Sequence, residues 1–244
     1  MTAFDARVVG PGRAGGALAR ALADAGWRVE GPLGRDLDPS RATSDTRLLL
    51  LAVPDGAVAD VASSLAPGDA VVAHVAGSLG LDVLAPHARV GSVHPLVSLP
   101  DAELGARRLR GAWFATAGDP AVAEVVRALD GRSVQVDDAD RATYHAAAAV
   151  AANHLVALLG QVERLAGGIG VPLEAYLDLA RGALDNVAEV GPVAALTGPV
   201  ARGDRATVAR HLEALPEDER PAYAILAEAA ERLVRERRAA EAHA

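Results

Sequence analysis

The sequence predicts an α/β protein in which a doubly wound, mostly parallel sheet is followed by an all-helical C-terminal domain. Short β-branched runs alternate with helical patterns as far as Asp137, which is typical of a parallel sheet covered by helices. A glycine-rich turn follows the first strand pattern and opens a helix. No strand pattern follows residue 137, where the sequence becomes helical in character. We therefore expect two domains, residues 1–137 and residues 138–244.

The strand patterns of the first domain are Arg7–Val9, Trp27–Leu33, Leu48–Val53, Ala70–Ala73, Val90–Val93, Trp113–Ala117 and Ser133–Val136. Leu48–Val53 is apolar throughout, as expected of a strand that is buried on both faces. The helical patterns of this domain are Ala14–Ala25, Gly56–Leu65 and Ala121–Leu129. The helical patterns of the second domain are Asp140–Leu165, Leu173–Val190, Arg205–Leu215 and Glu219–Ala242.

The composition indicates a folded, acidic protein without cysteine. Of the 244 residues, 51% are hydrophobic, which supplies a core and argues against disorder. The absence of cysteine excludes disulfides, thiolate metal sites and cysteine nucleophiles. A formal net charge of −8 disfavours nucleic acid as a partner. The longest apolar run near the start, Leu48–Pro54, is too short to span a membrane and the N-terminus has no signal-peptide pattern, so we expect a cytoplasmic protein.

The turn after the first strand reads Gly10-Pro11-Gly12-Arg13-Ala14-Gly15, which is the pattern G-x-G-x-x-G. In that pattern the first glycine permits a tight turn, the second lets the backbone approach a pyrophosphate, and the third lets the helix pack closely on the strand. The helix N-terminus then offers free N–H groups to the phosphates. The pattern favours a dinucleotide-binding Rossmann domain over the alternative, a glycine-rich turn that binds no ligand.

The end of the second predicted strand bears on the choice between NAD and NADP. Glu30 lies in mid-strand, too early to accept the ribose hydroxyls. Arg35 is placed to pair with a 2′-phosphate, which a guanidinium binds in a bidentate manner. The alternative is that Arg35 faces solvent and Asp36 binds the ribose. We favour NADP as the cofactor, with NAD as the less favoured form.

Val53, Pro54 and Asp55 end the apolar third strand. Because the carboxyl ends of parallel strands line the ligand crevice, we expect Val53 and Pro54 to pack near the cofactor ribose. Asp55 is expected to cap the helix that follows.

Histidines are the candidate proton donors, since their ordinary pKa of about 6.5 suits proton transfer near neutral pH. His74 and His94 end predicted strands at the crevice, and His145 lies early in the long helical pattern. The alternative for each is a structural histidine that is hydrogen-bonded to a loop carbonyl.

Asn153 follows His145 on the same predicted helix, roughly 80° around and about 12 Å along an ideal α-helix. The two residues are expected to flank one bound molecule, unless Asn153 only bonds neighbouring backbone. Arg202 lies in the predicted loop 197–204 and is a candidate anchor for a substrate carboxylate, or a link between two helices. Asp204 in that loop is expected to cap a helix.

Several motifs together give a resemblance to a family: Gly10-Pro11-Gly12, Val53-Pro54-Asp55, His74-Val75-Ala76-Gly77, His94-Pro95-Leu96, Tyr144-His145-Ala146-Ala147, Asn153, and Leu196-Thr197-Gly198-Pro199 with Arg202-Gly203-Asp204. Over nearly its whole length the chain resembles bacterial proteins with a Rossmann-like first half and a helical domain of unknown function. Wider relatives look like ketopantoate reductase, pyrroline-5-carboxylate reductase and the β-hydroxyacid dehydrogenases. The resemblance implies NADPH-dependent reduction of a C=O or C=N bond and a homodimer that pairs through the helical domain.

Many of those relatives carry a lysine four residues before the asparagine, where this chain has Ala149. Alanine cannot transfer a proton, so the resemblance implies that the acid has moved, with His145 as the first candidate. We expect an NADP-dependent reductase of a small carboxylated carbonyl compound, with 2-dehydropantoate as the best single substrate. The alternatives are an imine reductase of the pyrroline-5-carboxylate type and a sensor or scaffold that binds NADP without turnover.

Overall fold

The computed structural model describes residues 4–35 and 37–243. The chain divides into two compact units, residues 1–153 and residues 154–244. The last strand ends at Gln135, whereas the boundary between the two compact units falls after Asn153. The helix between these points belongs to the first unit because its residues Tyr144 and His145 contact His94 on the sheet.

The first unit is built on a seven-stranded sheet with the strand order β2-β1-β3-β4-β5-β6-β7. Its strands are β1 (Phe4–Val9), β2 (Val29–Leu33), β3 (Thr46–Leu51), β4 (Val71–His74), β5 (Val90–Pro95), β6 (Trp113–Gly118) and β7 (Arg132–Gln135). The pairing is parallel except between β5 and β6, which are antiparallel. The predicted mostly parallel, doubly wound sheet is confirmed.

Helices cover both faces of this sheet because the strands are apolar on both sides. The helices of the first unit are α1 (Arg13–Asp24), α2 (Val58–Ser64), α3 (Ala102–Leu109), α4 (Val122–Ala128) and α5 (Arg141–Ala149). Leu18 of α1 and Leu109 of α3 pack with Leu50 on one face, whereas Val58 of α2 packs with Leu49 on the other. The sequence patterns missed α3, which its N-cap Asp101 starts by accepting a hydrogen bond from the Leu104 N–H.

The second unit is helical throughout its described residues. Its helices are α6 (Leu155–Gly167), α7 (Leu173–Ala195, two helices merged across a kink at Gly191), α8 (Gly198–Arg202), α9 (Arg205–Ala214) and α10 (Arg220–Glu241). Among its described residues, Gln161, Ala166 and Glu219 are the buried ones. Large apolar side chains such as Leu184 (54% exposed) and Ile225 (65% exposed) face outward.

One helical run has the length and composition of a membrane span, which the sequence patterns did not indicate. It covers Asp138–Gly167, its best window has a mean hydropathy of 1.3, and 6% of that window is buried. In the first unit, several alanines of this run line a cleft described below, among them Ala148 and Ala152.

Candidate functional site

The glycine turn joins β1 to α1 at the carboxyl edge of the sheet. Gly10 has a φ of 113°, and a Cβ there would lie 2.3 Å from the carbonyl oxygen of Ala52. A Cβ on Gly15 would lie 1.9 Å from the carbonyl oxygen of Gly10, so the turn is sterically confined to glycine at both positions. A Cβ on Gly12 would meet nothing within 4 Å. Open space therefore lies where a pyrophosphate approaches in proteins with this turn.

The first turn of α1 is suited to an anion. Gly12 is the N-cap residue and no side chain caps the helix, so its first N–H groups are available to a ligand. No acidic side chain lies in that first turn. The exposed Arg13 adds a positive charge there, whereas Pro11 and Ala14 contribute backbone shape only. The turn fits the phosphates of a dinucleotide.

The crevice beside this turn lies where the strand order changes direction. β1 lies between β2 and β3, so the chain crosses from one side of β1 to the other at this point. Val53 is half-buried and Pro54 is exposed immediately after β3, at the position where ligands bind in open α/β sheets.

Asp55 does not cap α2, so that expectation was wrong. A short 3-10 turn, Asp55–Ala57, separates the strand from α2, and no side chain caps either segment. The carboxylate of Asp55 instead accepts a hydrogen bond from the hydroxyl of Ser78 at 2.8 Å. This bond ties the loop after β3 to the loop after β4.

The residues that bear on the 2′-phosphate follow β2. Glu30 forms an ion pair with Arg7 of the neighbouring strand, so its carboxylate is engaged there. Arg35 is exposed in the turn after β2, while Asp36 lies outside the described residues. The preference for NADP over NAD stays a prediction.

A cleft of about 680 Å³ lies in the first unit. It brings together four residues that the sequence singled out: Arg13, His94, His145 and Asn153. Tyr144 also lines it, and sequence reasoning gave that residue no role. Because Arg13 belongs to the glycine turn, the cleft extends from that turn to the histidines.

The helix that lines the cleft is not a regular α-helix throughout. A π-helical segment, Val150–His154, follows α5. A π-turn is wider than an α-turn, so each residue rotates less about the axis and Asn153 turns back toward the face of His145. Asn153 is exposed rather than buried, so burial imposes no partner on its amide. His145 and Asn153 both line the cleft, and that they flank one bound molecule stays a prediction.

His94 and Tyr144 form a hydrogen-bonded pair at the cleft. The Tyr144 hydroxyl lies 2.7 Å from Nδ1 of His94, and the His145 ring stands edge-on to His94 with 5.9 Å between centroids. Gly77 makes room for both histidines, because a Cβ there would lie 2.6 Å from His145 Cδ2 and 2.9 Å from His94 Nε2. The loop after β4 therefore packs directly against these two rings.

Burial sets the protonation states of this pair. Desolvation, followed by the charges of His145 and Arg141, lowers the pKa of His94 to about 4. Burial also raises the pKa of Tyr144. At neutral pH, His94 is therefore an uncharged hydrogen-bond partner and Tyr144 keeps its proton.

His74 is fully buried and does not line the cleft. Its Nε2 is 3.2 Å from the carbonyl oxygen of Gly80, and desolvation by burial lowers its pKa. This is the loop-carbonyl arrangement that the sequence left open as the alternative to a proton donor.

Arg202 and Asp204 lie in the second unit. Arg202 ends the short helix α8, where a loop was expected, and its side chain is exposed. Asp204 caps α9 by accepting a hydrogen bond from the Thr207 N–H at 3.0 Å, as predicted.

Two family models match this chain, and the second match begins within the sheet of the first unit rather than at the boundary between the units. Residues 32–100 match the model of a Rossmann-like domain, and residues 114–230 match the domain of unknown function DUF2520. The chain combines a Rossmann-like domain with a DUF2520 domain. A search of curated proteins gives no match to this chain.

Solved structures share the fold of this chain over nearly its full length. A proposed NADP oxidoreductase from Bacteroides fragilis is 19% identical with a TM-score of 0.77, covering 94% of this chain and 98% of its own. A protein from Thermotoga maritima is 22% identical with a TM-score of 0.72, covering 96% and 99%. Pyrroline carboxylate reductase from Plasmodium falciparum, solved with NADP bound, is 13% identical with a TM-score of 0.63, covering 96% and 99%. These similarities establish that this chain shares its fold with the three solved structures.

Proposed function

We propose that this chain is an NADP-dependent reductase of a small carboxylated carbonyl compound, with 2-dehydropantoate as the best single substrate. The observation that carries the proposal is one cleft lined both by Arg13 of the glycine turn and by His94, Tyr144 and His145. Such a cleft offers phosphate binding at one end and proton donors at the other. The reductases among the structures of the same fold support this interpretation.

The residues at the histidine end suit protonation of a carbonyl oxygen. When bound, NADPH supplies the hydride that adds to the carbonyl carbon. His145 protonates the oxygen. The Nδ1–H of neutral His94 donates to the Tyr144 oxygen, which leaves the Tyr144 O–H to donate a hydrogen bond to the same carbonyl oxygen. His94 is too weak a base to carry a proton at neutral pH, so it orients Tyr144. Asn153 orients the carbonyl from the π-helical end of the cleft.

The test is NADPH oxidation followed by absorbance, with 2-dehydropantoate as substrate. Wild-type protein is expected to turn over, and His145→Ala is expected to lower turnover by roughly 10²- to 10⁴-fold. Arg107→Gln, at an exposed arginine paired with Glu103 on α3, is the matched control and should behave as wild type. Unchanged turnover in His145→Ala would remove that residue from the mechanism.

A second candidate is reduction of an imine, because pyrroline carboxylate reductase shares the fold over 96% of this chain. The same assay with 1-pyrroline-5-carboxylate separates the two substrates. A third candidate is a sensor that binds NADP without turnover, favoured by Ala149, which lines the cleft where relatives are expected to carry lysine. NADPH binding with no oxidation across oxoacids and imines would select it.

We also propose that two copies of the chain pair through the helical unit. Residues 154–243 bury few side chains, and Leu184, Val190 and Ile225 are all more than half exposed. A small helical unit with so little core needs another apolar surface, and a second copy supplies the same helices in a symmetric arrangement.

A further inference from the structure

Arg141 is a buried cation that has no hydrogen-bond partner among the described residues. It is the first residue of α5, its side chain is 1% exposed, and neither Nε nor either Nη atom has a hydrogen-bond acceptor among the described residues. The carboxylate of Asp138 is 4.0 Å from Nε and is itself engaged, since its Oδ2 accepts a hydrogen bond from the Leu81 N–H at 3.0 Å. Burying a guanidinium without an acceptor is costly, so the site calls for an anion.

Other unpaired groups lie on the strands beneath α5. The hydroxyl of Ser92 and Nδ1 of His74 are buried without a hydrogen-bond partner among the described residues. His74 and Ser92 are direct neighbours in the register of β4 and β5, so their side chains point to one face of the sheet. His94 lies two residues beyond Ser92 on the same face of the sheet. Because His94 lines the cleft, the unpaired groups of Ser92 and His74 lie on the face of the sheet that borders it.

Arg141 shares a helix face with the cleft residues. Tyr144 and His145 follow it by three and four residues, which places all three on one side of α5. The positive charge of Arg141 also lowers the pKa of both His74 and His94, so the guanidinium lies near both rings.

We infer that Arg141 binds the carboxylate of the substrate, with the Ser92 hydroxyl as a second donor, and so selects acids over uncharged analogues. This inference rests on the proposed reductase function, whose substrate is carboxylated. A guanidinium binds a carboxylate through two parallel hydrogen bonds, which fixes the direction of the molecule as well as its charge. The carbonyl beside that carboxylate then lies toward Tyr144 and His145. Arg141 thereby takes the role that the sequence suggested for Arg202.

The first test is thermal unfolding with and without 2-oxo-3-methylbutanoate, a small oxoacid. In wild-type protein and in the control Arg107→Gln, the acid is expected to raise the Tm, whereas in Arg141→Met it is expected to have no effect. Without the acid, Arg141→Met should have a Tm equal to or above that of wild type, because it removes an unpaired buried charge. A lower Tm without the acid, or an undiminished response to it, would overturn the inference.

The second test compares 2-dehydropantoate with its lactone, which has the same carbon skeleton and no carboxylate. Wild type should prefer the acid, and Arg141→Met should lose about 100-fold in kcat/KM for the acid and little for the lactone. Arg141→Lys keeps the positive charge but lacks the bidentate guanidinium geometry. Its kcat/KM for the acid should therefore lie between those of wild type and Arg141→Met. A similar loss for both compounds, or a loss specific to the acid in Arg202→Gln instead, would contradict the role of Arg141.

NADPH binding separates the two proposals. If NADPH binds every variant but Arg141→Met treats the acid as wild type does, the inference fails and the reductase function stands. If no variant binds NADPH but the oxoacid raises the Tm only when Arg141 is present, the reductase function fails and the anion site stands.

Discussion

Lowering the pH from 7.5 to 4 tests the environment of His94 directly. In the folded protein, burial, followed by the charges of His145 and Arg141, lowers the pKa of His94 to about 4, against an ordinary value near 6.5. The unfolded chain therefore takes up a proton at His94 before the folded chain does. Stability from the neutral ring is fully present above pH 6.5 and is lost as the pH falls toward 4.

The size of this effect follows from the distance between the two pKa values. At about 1.36 kcal/mol for each pH unit, the interval from 6.5 to about 4 corresponds to about 3 kcal/mol.

Urea unfolding, monitored by tryptophan fluorescence, measures this change in the stability of the first unit. The two tryptophans, Trp27 and Trp113, both lie in the first unit, so their emission reports its unfolding in the full chain. We expect the free energy of unfolding of wild type to fall by about 3 kcal/mol more than that of His94→Gln between pH 7.5 and 4. Since the variant retains the other acid-sensitive groups, equal pH dependence in both proteins would refute the assignment of a depressed pKa to His94.

Three further predictions concern the turn, the proton donors and the helical unit. Gly12→Ala should keep the fold, because its Cβ meets open space, but should weaken NADPH binding as measured by calorimetry. Gly15→Ala should lower the Tm, because its Cβ would lie 1.9 Å from the Gly10 carbonyl oxygen. Equal NADPH affinity in Gly12→Ala and wild type would argue against phosphate binding at the turn. Tyr144→Phe should slow the reduction of 2-dehydropantoate by roughly 10-fold or more while leaving NADPH affinity unchanged, and unchanged kinetics would exclude its hydroxyl. Leu184→Glu should convert a dimer to a monomer in light scattering, whereas Glu189→Gln should not; a monomeric wild type would contradict pairing.

Much of the fold follows from the sequence because its strand patterns are strong. Leu48–Val53 is apolar throughout, and β3 occupies Thr46–Leu51 as an interior strand between β1 and β4. The helix α3 was missed because two of its three buried residues, Gly105 and Ala106, are small and give only a weak apolar pattern. The short helix α8 was interpreted as a loop because glycine and proline dominate its first turn.

Some residues of the candidate site can be found from local sequence patterns, whereas others depend on contacts between distant parts of the chain. The glycine turn is a local pattern, so the sequence was sufficient to locate it. The His94–Tyr144 pair joins residues 50 positions apart, and no spacing rule reveals such a contact. The unpaired state of Arg141 is also invisible in the sequence, where an arginine beside Asp140 and near Asp138 suggests an ordinary ion pair at a helix start.

Isothermal titration calorimetry of the full chain with NADPH and with NADH tests the dinucleotide site most directly. We expect NADPH to bind and NADH to bind more weakly. Absence of heat from either nucleotide at millimolar concentration would contradict this expectation.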